Sequence, residues 1–209
     1  MAVSAFIWDL DGTLIDSYEV MVESLYETYL ELGAELDKDF IMDEIKTTSV
    51  SDFHRKMEKE RGILYDDLKD RYAEISRKNE PRIRAIKNAA EILKFAKDRG
   101  IGNFVFTHRG ASGPEILKNN GLYEYFDEIA STADGFKRKP DPEGINYLVE
   151  KNGLVPEKTF YVGDRTLDIE SADNAGIKSI LYLPEGSIVK PTGKETYIVG
   201  DLLEIKEIV

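Results

Sequence analysis

Residues 3–13, VSAFIWDLDGT, decide the fold of this chain. Residues 3–8 are almost wholly apolar, which is typical of a buried strand, and Asp9 ends the run abruptly. An aspartate that follows such a strand is costly unless it is paired or bound to a metal ion. We therefore expect a buried strand over residues 3–8, followed by a loop that carries chemistry.

The part of the chain after Pro81 alternates short apolar runs with helical patterns. The runs predict strands at 103–106, 128–131, 159–162, 178–183 and 197–199. Helices are predicted between them at 86–97, 112–120, 142–151 and 167–175, the third with Asp141 as its cap and Pro142 as its first residue. Such alternation indicates right-handed crossovers. The sequence thus predicts an α/β fold, with a mainly parallel sheet and helices on both faces.

A helical block separates the first strand from the rest of this pattern. Residues 17–32 have helical spacing, and residues 37–79 continue with further helices and no convincing strand. We therefore predict a core made of residues 1–15 and 82–209, with a helical cap at 16–81 inserted into it.

Composition excludes several classes of function. A net charge of −12 disfavours non-specific binding to nucleic acid. The chain has no cysteine, which excludes thiolate catalysis and cysteine metal sites, and its two histidines argue against a multi-histidine zinc site. No signal-peptide pattern and no apolar run of about 18 residues occurs. We expect a soluble cytoplasmic protein without a membrane partner; its oligomeric state is left open.

The loop after the first strand carries two carboxylates, Asp9 and Asp11, two positions apart. One can attack phosphorus as a nucleophile, while the other exchanges a proton with the leaving oxygen and then with water. Gly12 allows a tight turn, and Thr13 offers a hydroxyl and a backbone N–H to phosphate oxygens. The alternative is an ordinary acidic turn.

Thr107 ends the predicted strand at 103–106, and its hydroxyl can hold a phosphate oxygen. His108 and Arg109 follow directly and are candidates for phosphate or substrate contacts. The alternative is that Thr107 only ends the strand and that His108 and Arg109 are loop residues in solvent.

A basic segment, FKRKPDP, supplies a candidate cation in Lys139. A transferring phosphoryl group needs a nearby positive charge to offset its repulsion from an attacking carboxylate. Lys137 and Arg138 compete for this role, and a solvated basic turn is the alternative.

The segment GDRTLD follows the strand at 159–162 and carries Asp164 and Asp168. Asp164 suits oxygen coordination of Mg²⁺, and Asp168, one helical turn later, can support the site through hydrogen bonds. An acidic helix cap is the alternative. Because Asp9, Thr107 and Asp164 each follow a strand, a parallel sheet would bring them to the same edge.

The order and strand-end placement of these elements resemble the haloacid dehalogenase-like superfamily, whose first motif is Asp-x-Asp-Gly-Thr. The resemblance covers residues 3–15 and 82–205. The position of the helical block resembles the branch that contains phosphoglycolate phosphatases and β-phosphoglucomutases. This resemblance implies a Rossmann-like core with a helical cap that closes over the substrate. It also implies a magnesium-dependent phosphatase acting on a small phosphorylated metabolite.

The resemblance also implies roles for single residues. Asp9 would form an aspartyl-phosphate, and Asp11 would be the general acid and base, with its backbone carbonyl on magnesium. Asp164 would complete the metal site with Asp9. Asp168 would bind the metal directly or through water.

Thr107 and Lys139 would bind the transferring phosphate. In many phosphatases of this branch an asparagine follows the threonine, whereas this chain has His108 and then Arg109. The departure leaves the substrate open.

In the predicted cap, the segment KTTSVSDFHRK lacks the glycine often seen in the specificity loop of this branch. Candidates for substrate contacts there are Thr47, Thr48, Arg55 and Lys56.

Three other functions compete with a phosphatase. A phosphosugar mutase uses the same aspartyl-phosphate, so the sequence separates it poorly. A dehalogenase needs neither magnesium nor an acid two positions after its nucleophile, which would leave Asp11 and Asp164 unexplained. A non-catalytic phosphate-binding protein would usually have lost some of the candidate catalytic residues, whereas this chain has all of them: Asp9, Asp11, Thr107, Lys139 and Asp164.

Overall fold

The computed structural model describes residues 3–209. The chain forms two compact units, one that runs to Asp16 and resumes at Arg84–Val209, and one at Ser17–Ile83. The breaks fall after residues 16 and 83, compared with predicted breaks after residues 15 and 81. We call the first unit the core and the second the cap.

The core is built on a six-stranded sheet in the order β5-β4-β1-β6-β7-β8. Every neighbouring pair in this sheet is parallel. A separate antiparallel ribbon pairs β2 with β3. The strands are β1 (Ala5–Trp8), β2 (Ile15–Asp16), β3 (Arg84–Ala85), β4 (Gly102–Thr107), β5 (Glu128–Ser131), β6 (Thr159–Gly163), β7 (Lys178–Tyr182) and β8 (Tyr197–Val199). The predicted α/β fold with a mainly parallel sheet is confirmed.

Eight α-helices are found in residues 3–209. The cap contains α1 (Tyr18–Glu31), α2 (Lys38–Thr47), α3 (Val50–Arg61) and α4 (Tyr65–Asn79), and the core contains α5 (Ala89–Asp98), α6 (Gly113–Asn119), α7 (Glu143–Lys151) and α8 (Thr166–Asn174). Short 3₁₀ turns lie at 80–82, 123–125, 132–134, 156–158 and 202–207. Over these residues, no helix is long and apolar enough to cross a membrane.

Both faces of the sheet are covered, as the apolar character of its strands requires. Ile7 packs in a cluster with Leu148 of α7 on one face. On the other face the Trp8 indole Nε1 donates to Asn103 Oδ1 at 3.0 Å, and Asn103 Nδ2 donates to the Leu93 carbonyl of α5 at 3.1 Å. The buried asparagine is therefore paired, and it ties two strands to a helix.

Two local predictions are corrected by the structure. The helix predicted from residue 86 begins only at Ala89, because Asn88 before it has a positive φ of 69°. The helix predicted from residue 142 begins at Glu143, with Pro142 rather than Asp141 at the cap. The Asp141 carboxylate still accepts a hydrogen bond from the Glu143 backbone N–H at 3.0 Å.

The cap has its own apolar core, formed by one face of each of its helices. His54 lies inside it with 1% exposure, and its Nδ1 atom hydrogen-bonds with the Tyr29 hydroxyl at 2.8 Å. The rings of Tyr65 and Tyr72 lie edge-on to the imidazole. Burial lowers the pKa of His54 to about 4, so the ring is neutral at pH 7.

Candidate active site

Three adjacent strands end in polar residues at one edge of the sheet. Thr107 is the last residue of β4, Asp9 follows β1, and Asp164 follows β6. The Asp9 backbone N–H donates to the Val162 carbonyl at 2.8 Å, which continues the ladder between β1 and β6 past the strand end. All three side chains belong to buried residues. The chain thus brings together the residues that the sequence placed at the carboxyl ends of strands.

Lys139 lies at the centre of this cluster. Its ammonium Nζ donates to Asp9 Oδ1 at 2.7 Å, to Asp168 Oδ1 at 2.6 Å and to the Tyr161 hydroxyl at 2.7 Å. Burial opposes the charged form of the lysine, but the Asp168 and Asp9 carboxylates outweigh it and raise the pKa of Lys139. The lysine therefore stays charged in a buried position.

Tyr161 is a member of this cluster that the sequence analysis missed. Its hydroxyl donates to the Phe106 carbonyl at 2.8 Å and accepts from Lys139, which fixes the position of the ammonium. The signal was a tyrosine in an otherwise apolar strand, whose buried hydroxyl needs partners. Lys137 and Arg138, which competed with Lys139, are both exposed.

Three buried carboxylates converge beside the lysine. Oxygen atoms of Asp9, Asp164 and Asp168 lie within 4.8 Å of one another. Burial raises the pKa of Asp9 to about 8; Lys139 opposes this shift, while Asp168 and Asp164 add to it. Lys139 is paired with two of the three carboxylates, Asp9 and Asp168. A set of closely spaced carboxylate oxygens fits a divalent cation of the Mg²⁺ type.

Gly12 and Thr13 form the turn that follows Asp9. Gly12 has a φ of 85°, and its N–H donates to the Ile15 carbonyl at 2.9 Å. The Thr13 hydroxyl donates to Asp164 Oδ1 at 3.0 Å. The sequence suggested that this hydroxyl and the Thr13 backbone N–H bind phosphate, and that role stays a prediction.

Asp168 is fully buried and its two oxygens have different partners. Oδ1 accepts from Lys139, and Oδ2 accepts from the Arg165 backbone N–H at 3.0 Å. A Cβ atom on Gly163 would lie 2.4 Å from the Asp168 Cβ, so a larger residue would displace the carboxylate. Gly163 is therefore needed for the close approach of β6 to α8.

His108 supports the lysine loop. Its Nε2 atom accepts a hydrogen bond from the Lys139 backbone N–H at 2.6 Å, and its carbonyl accepts from the Thr132 hydroxyl at 3.0 Å. Burial, helped by the positive charge of Lys139, lowers the pKa of His108 and keeps the ring neutral. The phosphate or substrate contact that the sequence proposed for His108 stays a prediction.

Arg109 contacts Asp11. Its Nε atom lies 2.9 Å from Asp11 Oδ1, its Nη2 atom lies 2.5 Å from the same oxygen, and its backbone N–H donates to the Thr107 hydroxyl at 3.0 Å. The sequence treated Arg109 as a phosphate ligand and Asp11 as a proton donor, and did not pair them.

The four candidates in the cap each have a partner within the cap. The Thr47 and Thr48 hydroxyls donate to carbonyls of α2, Arg55 pairs with Asp52 at 3.5 Å, and Lys56 pairs with Glu44 at 2.6 Å. Their contacts with a substrate stay predictions.

Comparison with known proteins agrees with this geometry. Residues 6–182 match the family model described as haloacid dehalogenase-like hydrolase. The chain is 32% identical to a phosphoglycolate phosphatase of Aquifex aeolicus, over 85% of this chain and 83% of that protein. It is 27% identical to the pyrophosphatase PpaX of Halalkalibacterium halodurans, over 100% of this chain and 98% of that one.

The fold also matches solved structures. A crystal structure from Haemophilus somnus, described as a predicted phosphoglycolate phosphatase, superposes with a TM-score of 0.87 at 23% identity and covers 99% of this chain and 97% of that one. The predicted family resemblance is confirmed. The chain belongs to the haloacid dehalogenase-like hydrolases and is a phosphatase of that family.

Proposed function

We propose that this enzyme is a magnesium-dependent phosphatase that hydrolyses a small phosphorylated metabolite through an aspartyl-phosphate on Asp9. The observation that carries the proposal is the environment of that carboxylate. An ammonium lies 2.7 Å from one of its oxygens, and two further carboxylates are close enough to share a cation with it. A buried aspartate between a fixed cation and a metal-binding set suits nucleophilic attack on a phosphoryl group.

Asp9 and Asp164 would hold the magnesium ion, with Asp168 as a third oxygen donor. Magnesium bound there supplies positive charge for the phosphoryl oxygens and lowers the cost of ionising Asp9. The backbone carbonyl of Asp11 as a further ligand stays a prediction.

Asp9, Asp11 and Lys139 supply the nucleophile, the proton transfers and the positive charge that the two steps of the reaction need. An oxygen of Asp9 attacks phosphorus, the bond from phosphorus to the leaving oxygen breaks, and Asp11 gives that oxygen a proton. Water then attacks the phosphorus of the aspartyl-phosphate and returns a proton to Asp11, and the Asp9–phosphorus bond breaks to release phosphate. Lys139 offsets the repulsion between the carboxylate and the phosphate in both steps.

The Thr107 hydroxyl is suited to donate a hydrogen bond to a phosphate oxygen. Its hydroxyl oxygen accepts from the Arg109 backbone N–H, and a hydroxyl that accepts in this way keeps its own hydrogen for donation. We propose that this hydrogen faces the transferring phosphoryl group.

The substrates in the names of the relatives define the first panel to test. Phosphoglycolate and pyrophosphate are both small, and both carry the phosphoryl group beside a second anionic group. Phosphate release from these and from simple phosphosugars, measured with and without Mg²⁺, tests the activity. Isomerisation of a phosphosugar faster than phosphate release would instead identify a mutase.

The nucleophile is tested by Asp9→Asn with Asp16→Asn as the matched control, because Asp16 is exposed and its change removes the same charge. We expect Asp9→Asn to lower kcat by about 10³-fold or more, and Asp16→Asn to leave it unchanged. Mass spectrometry after rapid quenching should find the phosphoryl group on the peptide that contains Asp9. Undiminished turnover by Asp9→Asn would refute the assignment.

A further inference from the structure

Arg109 contacts both carboxylate oxygens of Asp11, the residue that we propose as the general acid and base. Its Nε lies 2.9 Å from Asp11 Oδ1 and 3.2 Å from Oδ2, and its Nη2 lies 2.5 Å from Oδ1. The arginine side chain is 10% exposed and the aspartate side chain 21%. A charge-assisted pair this well shielded is held more tightly than a surface salt bridge.

This pairing conflicts with proton exchange at Asp11. To protonate a leaving group, an Asp11 oxygen must hydrogen-bond the leaving oxygen itself. Because Arg109 contacts both oxygens, it competes with the leaving oxygen for Asp11, and we infer that the guanidinium moves away from Asp11 in the productive complex. Separating a shielded ion pair is costly unless the cation gains another anionic partner.

We propose that Arg109 binds a second anionic group of the substrate, and that this exchange of partners releases Asp11 to the leaving oxygen. The inference rests on the proposed function and narrows its substrate class. The substrates would be small metabolites with a carboxylate or phosphate next to the phosphoryl group that is transferred. The planar guanidinium fork matches either kind of oxyanion.

The position of Arg109 favours this role. Its backbone N–H is fixed by the Thr107 hydroxyl at 3.0 Å, which anchors the residue beside the proposed phosphoryl site. Lys139, the other cation of the cluster, already contacts Asp9, Asp168 and Tyr161. Lys139 is thus paired with the buried carboxylates, whereas Arg109 is paired with the proposed proton-exchanging group, Asp11.

The test compares substrates that differ in the second anion. Phosphoglycolate is matched with ethyl phosphate, and pyrophosphate with methyl phosphate, so the two arms separate a carboxylate from a phosphate. We expect the wild-type enzyme to prefer the member that carries the second anionic group in at least one pair. Arg109→Met should lower kcat/KM for that member by about 100-fold, because a site built for a polar group loses its partner. Its loss of activity on the simple alkyl phosphate should be much smaller, because that substrate offers Arg109 no second anionic group.

Two further variants sharpen the result. Arg109→Lys keeps the charge but loses the fork, so it should recover only part of the preference. Lys137→Met removes a cation whose side chain is 68% exposed. It should leave the ratio of kcat/KM values within each substrate pair unchanged. Circular dichroism and urea unfolding establish that each variant folds.

Equal losses in Arg109→Met on substrates with and without the second anionic group would overturn the inference, because Arg109 would then only hold Asp11 in place. A wild-type enzyme that turns over ethyl and methyl phosphate as fast as phosphoglycolate and pyrophosphate would also overturn it. Both results leave the proposed phosphatase intact. Absence of phosphate release from every substrate tested would instead overturn the proposed function, and this inference with it.

Discussion

The core and the cap bury polar groups of different kinds. The core buries Asp9, Lys139, Asp164 and Asp168 together at one edge of its sheet. In residues 17–83 of the structure, no Asp, Glu, Lys or Arg is buried, and the buried polar side chains are hydroxyls and the neutral His54. Burying charge costs several kcal/mol per ion even when it is paired, whereas a neutral group needs only a hydrogen-bond partner.

The two histidines of the chain show the same difference. His54 in the cap bonds with Tyr29 inside an aromatic cluster, and His108 in the core holds the backbone of a catalytic candidate, Lys139. Both are neutral, because burial lowers the pKa of each, yet their neighbours differ. The hydrogen bond between His54 and Tyr29 therefore stabilises the cap, and we propose that the buried charged groups of the core serve the reaction at the expense of stability.

Among the variants that test this difference between core and cap, Lys139→Met should have the largest effect. The change leaves Asp9 and Asp168 buried without their cation, which we expect to cost about 3 to 5 kcal/mol in the free energy of unfolding. Activity should fall by about 10²- to 10³-fold, because the transferring phosphoryl group loses its counter-charge. Urea unfolding and initial rates measure the two effects.

The exposed Lys137→Met is the control for both measurements and should change neither. Adding Asp168→Asn to Lys139→Met removes one uncompensated charge, so the double variant should regain stability without regaining activity. Unchanged stability in Lys139→Met would contradict the view that the core holds these charges at a cost.

The second prediction concerns the packing behind the carboxylates. Gly163→Ala places a Cβ 2.4 Å from the Asp168 Cβ, and we expect the overpacking to cost about 1 to 3 kcal/mol. Gly110→Ala is the matched control, because nothing lies within 4 Å of its Cβ position, and it should change stability by less than about 0.5 kcal/mol. Thermal unfolding of the two variants compares them. Equal melting temperatures would show that β6 and α8 can separate without strain.

The third prediction turns to the cap. Burial lowers the pKa of His54 to about 4 in the folded chain, from an ordinary value of 6.5. Between pH 6.5 and pH 4, His54 is protonated in the unfolded chain but stays neutral in the folded chain. The free energy of unfolding therefore falls as the pH falls. At pH 5 the loss should be about 2 kcal/mol relative to pH 7.5. Urea unfolding at both pH values measures it.

His54→Asn is the control for this titration, because it offers Tyr29 a hydrogen-bond partner but does not ionise. Groups that titrate elsewhere contribute equally to both proteins, so the difference between their pH dependences isolates His54. The same slope in both proteins would contradict the prediction.

The sequence predicted those parts of the site that depend on strand ends. Asp9, Thr107 and Asp164 could be found because each ends an apolar run, and parallel strands align their carboxyl ends. Partners such as Arg109 for Asp11, 98 positions apart, could not be found, because no local pattern encodes a long-range side-chain contact. The ribbon of β2 and β3 was missed because each strand has only two residues, too few to show a period.

The smallest effect should come from substitutions of His108. They test whether this histidine, unlike His54, acts on the candidate active site. His108→Ala leaves the Lys139 backbone N–H without its acceptor, and we expect a loss of about 1 kcal/mol in stability. We also expect kcat to fall by about 10-fold, because the lysine is less well positioned. His108→Gln can place an acceptor near the position of Nε2 and should restore most of the rate. His54→Asn should leave kcat unchanged, since its contacts lie within the cap. If His108→Ala and His108→Gln had the same kcat, the hydrogen bond to the loop would have no role in positioning Lys139.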